Sequence, residues 1–193
     1  MVGSLSVVLQ IGNSAVGTIA HMELANVVEL ANVVKKVLVL RVVAQDSKTT
    51  ATETQLADDI FGASGDAVNL QSQYKACSYD QLQFNAVTSI TEGGTDGVYT
   101  VYLDTTNVKG ASDGTIRTKA VNAATAQLGR LTNIADYVMV CLPPGTNGGW
   151  IAYAYINHWL SVYNDKWCQY PSAQMHEMGK LWFVLSCSVL DKH

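Results

Sequence analysis

Long hydrophobic runs, blocks of one charge and CxxC cysteine pairs are all missing from this chain of 193 residues. No apolar stretch approaches the roughly 20 residues that span a bilayer, so the sequence predicts no membrane-spanning helix. Charged residues make up only 15% of the chain, and the net charge of −4 comes without a basic block. Nucleic acids and anionic membrane surfaces are therefore not expected as partners.

The cysteines also exclude one class of site. Cys77, Cys141, Cys168 and Cys187 form no CxxC pair, which argues against a cysteine zinc knuckle. Their even number permits two disulfides and, together with the low charge, mildly favours a secreted protein. No Lys or Arg precedes the apolar start of the chain, so no signal peptide is visible. Either the mature protein is cytosolic or the true start lies upstream.

The first 36 residues differ from the rest of the chain. The hexapeptide ELANVV occurs twice in tandem, at Glu23–Val28 and Glu29–Val34. A period of six fits neither a coiled-coil heptad nor a solenoid repeat. We interpret residues 1–36 as an atypical N-terminal segment and expect no function there.

A pattern of alternating strands and helices begins after this segment. The β-branched run Val37–Gln45 predicts a buried strand. Ser47–Gly62 predicts a Thr-rich connection and a short helix that Gly62 ends. Val68–Phe84 is typical of a helix followed by a strand, and the alternation in Gly97–Asp104 predicts a half-exposed strand.

The second half of the chain continues in the same way. Asp113 is the predicted cap of a helix over residues 115–128 whose apolar stripe is formed by Ile116, Ala120, Ala124 and Leu128. Tyr137–Gly145 predicts another buried strand, and Gly148–Asn157 a further strand. The polar stretch Ser161–Ser172 leads into a last helix that Ser172 would cap. The order predicts an α/β fold, with a mixed twisted sheet packed by helices and a functional helix near the C-terminus.

That last helix carries the sequence His-Glu-Met-Gly-Lys. In zinc peptidases two histidines four residues apart share one helix face and bind the metal, and the Glu after the first one serves as the general base. His176 and Glu177 match the first half of this pattern. Lys180 stands at the second histidine position, and an ammonium group has no lone pair to offer a metal. The alternative is a surface His beside a surface Glu with no site.

The longer segment 138–179, VMVCLPPGTNGGWIAYAYINHWLSVYNDKWCQYPSAQMHEMG, resembles the catalytic domain of gametolysin-like zinc metallopeptidases, a metzincin-type family. The resemblance extends back to about Val37 and stops at Gly179. It implies an incomplete peptidase domain over residues 37–179, with a metzincin-like N-terminal catalytic subdomain, and an unrelated tail over residues 180–193. It further implies zinc as the cofactor, His176 as a metal ligand and Glu177 as the catalytic base.

The family resemblance also implies the partners and the location. The substrate would be a peptide or protein, for example a cell-wall glycoprotein, and the protein would be extracellular or secretory. As written, the chain supplies one metal ligand of three, because Lys180 and Ser186 occupy the positions of the other two. We therefore expect negligible peptidase activity and weak zinc affinity. The alternatives are a catalytically dead relative that binds peptides or glycoproteins, and a non-functional truncated product.

The end of the resemblance at Gly179 has a hypothetical cause in the gene. Gly-Lys can be encoded GGT-AAG, which contains GTAAG, the usual start of a spliceosomal intron. Read-through of an intron at this point would replace the rest of the helix with unrelated residues.

Two further sets of residues follow from the resemblance. Trp150, Tyr153, Tyr155 and His158 precede the last helix, and they form either core packing or the wall of a substrate cleft. Cys168 is a candidate disulfide partner for Cys77. Cys141, in a buried strand, is expected to be a packed free thiol.

Overall fold

The computed structural model describes residues 33–88, 90 and 94–181. Most of the ELANVV repeat, together with Ser186 and Cys187, lies outside these residues. The elements follow in the order β1 (Val33–Ala44), α1 (Glu53–Phe61), α2 (Leu70–Cys77), β2 (Leu82–Ala86), β3 (Val98–Leu103), α3 (Asp113–Leu128), β4 (Tyr137–Leu142), β5 (Ala152–Ala154), β6 (Leu160–Asn164) and α4 (Pro171–Leu181). None of the helices within the described ranges is long and apolar enough to cross a membrane.

The six strands form one mixed sheet, which confirms the predicted α/β class. The order is β2-β1-β4-β6-β5, and β3 pairs with β1 beyond the end of β2. The strand β1 is long because its first half pairs with β2 and its second half with β3. All the pairs are parallel except the one between β6 and β5, which is antiparallel and places β5 at an edge.

Helices cover both faces of the sheet. Val37 and Val39 point towards α1, α2 and α4, whereas Leu38 and Leu40 point towards α3. A strand that is buried on both faces needs apolar side chains on both, and this explains the run Val37–Leu40, in which all four residues are buried. The predicted strand at Val37–Gln45 is confirmed, although it begins four residues earlier, at Val33.

The ends of the helices confirm one prediction and correct two. The helix α1 ends at Gly62, whose φ of 70° is the left-handed conformation that glycine adopts readily. The helix α3 is capped by Ser112, whose Oγ accepts from the Thr115 N–H at 3.1 Å. The prediction that Asp113 is the cap was wrong, because the preceding serine already has the extended backbone that a cap requires.

The last helix, α4, also begins earlier than predicted. The N–H of Gln174 donates to the carbonyl of Tyr170 at 3.0 Å, and Pro171 is the first helical residue. Proline suits this position because its missing N–H would have no partner inside the helix. The prediction of Ser172 as the cap was wrong.

The prediction that a polar connection joins the last strand to the last helix is also wrong in part. Its first residues belong to β6, which lies between β4 and β5 and is buried over residues 160–163. Leu160 and Val162 face α3, whereas Ser161 and Tyr163 face α4. The polar side chains of this strand therefore lie inside the fold, under the helix of interest.

A disulfide joins Cys141 of β4 to Cys168, with the Cα atoms 5.7 Å apart. The strand β6 pairs with β4 and leads directly into the short turn Asp165–Gln169, which brings Cys168 over β4. The predicted pairing of Cys77 with Cys168 was wrong, and so was the free thiol at Cys141. No cysteine in the described residues is free.

Candidate functional site: the groove beside the last helix

The helix α4 packs across β6 and β5 through one apolar face. Met175, Met178 and Leu181 are buried in the core on this side of the sheet. The hydroxyl of Tyr74 donates to the carbonyl of Met175 at 2.9 Å, which links α4 to α2. These contacts fix the rotation of the helix, and His176 consequently points outwards.

The turn before α4 is fixed to several parts of the fold. Gln174 Nε2 donates to the buried carbonyl of Cys168 at 2.7 Å. Gln169 Nε2 donates to Asp59 Oδ2 in α1 at 3.0 Å. Burial raises the pKa of the Asp59 carboxyl above its usual value, against the lowering effect of that hydrogen bond. With the disulfide, these contacts hold the start of α4 in one position.

The two residues predicted as the catalytic pair differ greatly in exposure. The side chain of His176 is 70% exposed and that of Glu177 only 5%. Lys180 Nζ lies 2.9 Å from Glu177 Oε2 and 3.1 Å from Oε1. His176 Nε2 lies 3.9 Å from Oε1. Both carboxylate oxygens are therefore engaged by one ammonium group.

An open groove of about 480 Å³ runs along the outer side of α4, next to the start of the edge strand β5. We call it the α4 groove. It is lined by Ile151, Ala152, Trp167, Ser172, Ala173, His176, Glu177 and Lys180. The residues of the predicted catalytic pair thus lie in a groove beside an edge strand, where an extended chain could be held.

The aromatic residues proposed as the cleft wall lie mainly on the other face of β5. Alternate residues of a strand point to opposite faces, so Ala152 and Ala154 face α4 whereas Tyr153 packs with the core beneath α3. Arg117 of α3 donates to the hydroxyl of Tyr155 at 3.0 Å. The sequence did not point to Ile151 and Ala152 as groove residues; alternation along the strand could have indicated Ala152, whereas Ile151 precedes β5.

Trp150 and His158 lie on the same side of the sheet as these tyrosines, beneath α3. Trp150 packs on the core beneath α3. His158 stacks on Trp159, with the ring centres 5.4 Å apart, and contacts Tyr155 edge-on. Its Nδ1 atom is buried without a hydrogen-bond partner in the described structure. His158 is therefore placed beside Tyr155 and Trp159 and does not line the α4 groove.

Comparison with known protein families shows which family this chain belongs to. The family model of gametolysin peptidase M11 matches residues 35–183, which is most of the sequence. The chain belongs to the gametolysin family. The match starts two residues before the predicted boundary at Val37 and continues four residues past Gly179. No curated protein and no solved structure matches the chain significantly.

Membership of the gametolysin family makes this a metallopeptidase domain, and metallopeptidases use a metal. The side chains of the α4 groove do not fit one. Within residues 33–88, 90 and 94–181, no three His, Cys, Asp or Glu side chains lie close enough together to hold an ion. Among the described lining residues of the groove, His176 is the single imidazole, and the carboxylate beside it is neutralised by Lys180.

Proposed function

We propose that this gametolysin-family domain binds extended peptide segments of extracellular proteins in the α4 groove and does not hydrolyse them. The observation that carries the proposal is the ion pair between Glu177 and Lys180, which joins both carboxylate oxygens to one ammonium group. A general base must accept a proton from the attacking water. Here the oxygens that would accept it are already engaged.

The same ion pair leaves the groove without a net negative charge that would attract a cation, because the ammonium of Lys180 balances the carboxylate of Glu177. Among the described lining residues this leaves one exposed imidazole, that of His176. Zinc sites in peptidases rest on three protein ligands. The described residues of the groove therefore do not supply the ligands of a peptidase metal site.

Peptide binding is supported by the position of β5. Among the described strands, β5 pairs only with β6, so its outer edge is available to an added strand. Ile151, which is 49% exposed, and Trp167 supply apolar contacts beside this edge. The strand spans only three residues, so pairing would cover about 10 Å of peptide and the affinity would be modest.

The disulfide supports the extracellular location. Disulfides persist in oxidising compartments and are rare where thiols are kept reduced. Cys141 and Cys168 are both fully buried and joined. Extracellular matrix or cell-wall glycoproteins are the partners that the family resemblance suggests.

The test is to incubate the chain with a mixture of extended peptides, first in EDTA and then with zinc. We expect binding in both conditions by calorimetry, and no new fragments by mass spectrometry. Cleavage that needs zinc and disappears in Glu177→Gln would overturn the proposal. Glu177→Gln also serves as the matched control, because it keeps the size of the side chain.

A second candidate is a non-functional product of a misread transcript. It is favoured by Lys180, which interrupts the ligand pattern directly after Gly179. Sequencing the transcript and the gene across the codons of these two residues tests it. A spliced form that restores histidines would support it, and a mature transcript that encodes the present residues would support the binding protein instead.

A further inference from the structure

A second cleft lies on the opposite face of β5, between α3 and the turn that joins β5 to β6. Its volume is about 250 Å³. We call it the α3 cleft, and its lining residues are Arg117, Thr118, Val121, Asn122, Tyr155, His158, Trp159 and Leu160. Pockets for drug-sized ligands run to about 300–1,000 Å³, so this cleft suits a single ring.

One wall of the α3 cleft is aromatic and well ordered by its contacts. The rings of Tyr155, His158 and Trp159 follow one another with centres 5.7 and 5.4 Å apart. Tyr155 is 51% exposed. An exposed aromatic wall that is already fixed loses little conformational entropy when a ligand binds.

The opposite wall, on α3, supplies polar groups. Arg117 Nη1 donates to the hydroxyls of Tyr155 at 3.0 Å and Tyr153 at 3.4 Å, which holds Tyr155 in place. Asn122 is exposed. Within the described part of the chain Arg117 forms no ion pair, although the carboxylate of Asp113 interacts with Tyr153 one helical turn away.

We propose that the α3 cleft binds one pyranose ring of an acidic saccharide. A pyranose has an apolar C–H face, which packs on an aromatic ring, and a rim of hydroxyls, which needs donors and acceptors such as Asn122 and Thr118. The guanidinium of Arg117 favours a ring that carries a carboxylate. A nucleic acid fits less well, because the cleft has one arginine and the whole chain has a net charge of −4.

The α3 cleft and the α4 groove lie on opposite faces of the same edge strand. Tyr155 faces α3, whereas Ala152 faces α4. A saccharide in one therefore leaves the other open to a peptide. The proposal does not depend on whether the α4 groove binds or cleaves peptides.

Calorimetric titration with tetragalacturonic acid tests the proposal. We expect saturable binding by the full chain, and a dissociation constant at least tenfold larger in Tyr155→Ala. Tyr102→Ala is the matched control, since Tyr102 is a 64% exposed tyrosine on β3, away from the cleft. Absence of binding, or equal loss in both variants, would overturn the proposal.

A second titration tests the role of Arg117. Neutral galactotetraose should bind several-fold more weakly than the acidic tetramer, and the difference should shrink in high salt because salt screens exposed charges. Arg117→Gln keeps a donor for Tyr155 and removes the charge, so it should abolish the difference. Equal binding of both sugars to the unmodified chain would contradict the preference for an acidic ring.

Discussion

The ammonium of Lys180 lies 2.9 Å from Oε2 and 3.1 Å from Oε1 of Glu177. The residue at the predicted position of the second metal ligand therefore also holds the carboxylate that was predicted as the base. Glu177 is 5% exposed, so this pair shields a charge that would otherwise be buried alone. The electrostatics of the α4 groove are thus organised around an ion pair.

Replacing the lysine tests its effect on metal binding. Lys180→His should bind zinc at least tenfold more tightly than the unmodified chain, because it removes the ammonium and adds an imidazole four residues after His176. Lys180→Gln is the matched control, which removes the charge without adding a strong ligand. Competition with a zinc indicator dye measures both. Equal affinity in the two variants would show that the second imidazole does not reach the ion.

Breaking the pair should lower stability. Lys180→Met leaves the carboxylate of Glu177 buried and unpaired, which should reduce the free energy of unfolding by about 1–3 kcal/mol. The lower part of this range is expected because the lysine is 34% exposed. The control is Lys75→Met, which breaks the exposed pair with Asp80 and should cost about 0–1 kcal/mol. Urea unfolding measures the free energy of unfolding of both variants. Equal decreases in the two variants would show that the pair with Glu177 contributes no more than an exposed ion pair.

Two buried tyrosines under α4 should respond differently to loss of the hydroxyl. The hydroxyl of Tyr163 is fully buried and makes no hydrogen bond of good geometry in the described structure, although the side chain of Ser161 is close enough to interact with it, so Tyr163→Phe should change stability little or raise it. Tyr74→Phe loses the bond to the Met175 carbonyl and should cost about 1 kcal/mol. Thermal melts of the two variants compare them, and a larger loss in Tyr163→Phe would indicate a partner for its hydroxyl.

The same tyrosines predict instability at high pH. Burial raises the pKa of both Tyr163 and Tyr74 above the ordinary value of 10. Because the folded pKa exceeds the unfolded one, the folded state keeps protons that the unfolded state releases above about pH 10. Stability should therefore be constant below that pH and fall above it. Urea midpoints between pH 8 and 11 measure the fall, which the double variant Tyr74→Phe/Tyr163→Phe should reduce.

The disulfide should stabilise the groove. Cys141 and Cys168 are 27 residues apart, and closing a loop of that length stabilises a fold by about 3–4 kcal/mol in the chain-entropy model. Cys141→Ala/Cys168→Ala should lower the free energy of unfolding by this amount. Peptide mapping without reduction should recover the two cysteines in one linked fragment. Recovery of Cys168 linked to Cys77 would contradict the fold around the turn before α4.

Peptide binding should depend on the α4 groove. Ile151→Asp places a charge among the apolar residues beside β5 and should weaken peptide binding about tenfold or more, with little effect on stability because Ile151 is 49% exposed. Ile156→Asp is the control, since Ile156 is 68% exposed and outside the groove. Calorimetry with one bound peptide compares them. Equal weakening in both variants would place the binding surface elsewhere.

The sequence predicted the elements whose patterns are strong and local. The centre of β1, Val37–Leu40, is apolar because both faces are covered there, and α1 ends at a glycine that adopts a positive φ. The strand β6 was missed because Ser161 and Asn164 make it look polar. In the fold, the Ser161 hydroxyl is buried and donates to Met178 Sδ at 3.8 Å. Such a contact across the fold leaves no signal in the local sequence.

The candidate site was predictable in part for a similar reason. His-Glu is a local motif, so His176 and Glu177 could be found by inspection, and Lys180 by its spacing. The disulfide between Cys141 and Cys168 depends on the pairing of β4 with β6, which no local pattern specifies. The face on which Tyr153 lies depends on the register of β5, a strand of only three residues.

The absence of a metal from the α4 groove is tested most directly by the zinc content of the full chain. The chain is dialysed to equilibrium against micromolar zinc, and its zinc is measured by atomic emission and compared with that of His176→Ala. We expect less than a tenth of a zinc ion per chain and no difference between the two proteins. One zinc ion per chain that is lost in His176→Ala would contradict this expectation, since it would show that the α4 groove holds a metal despite Lys180.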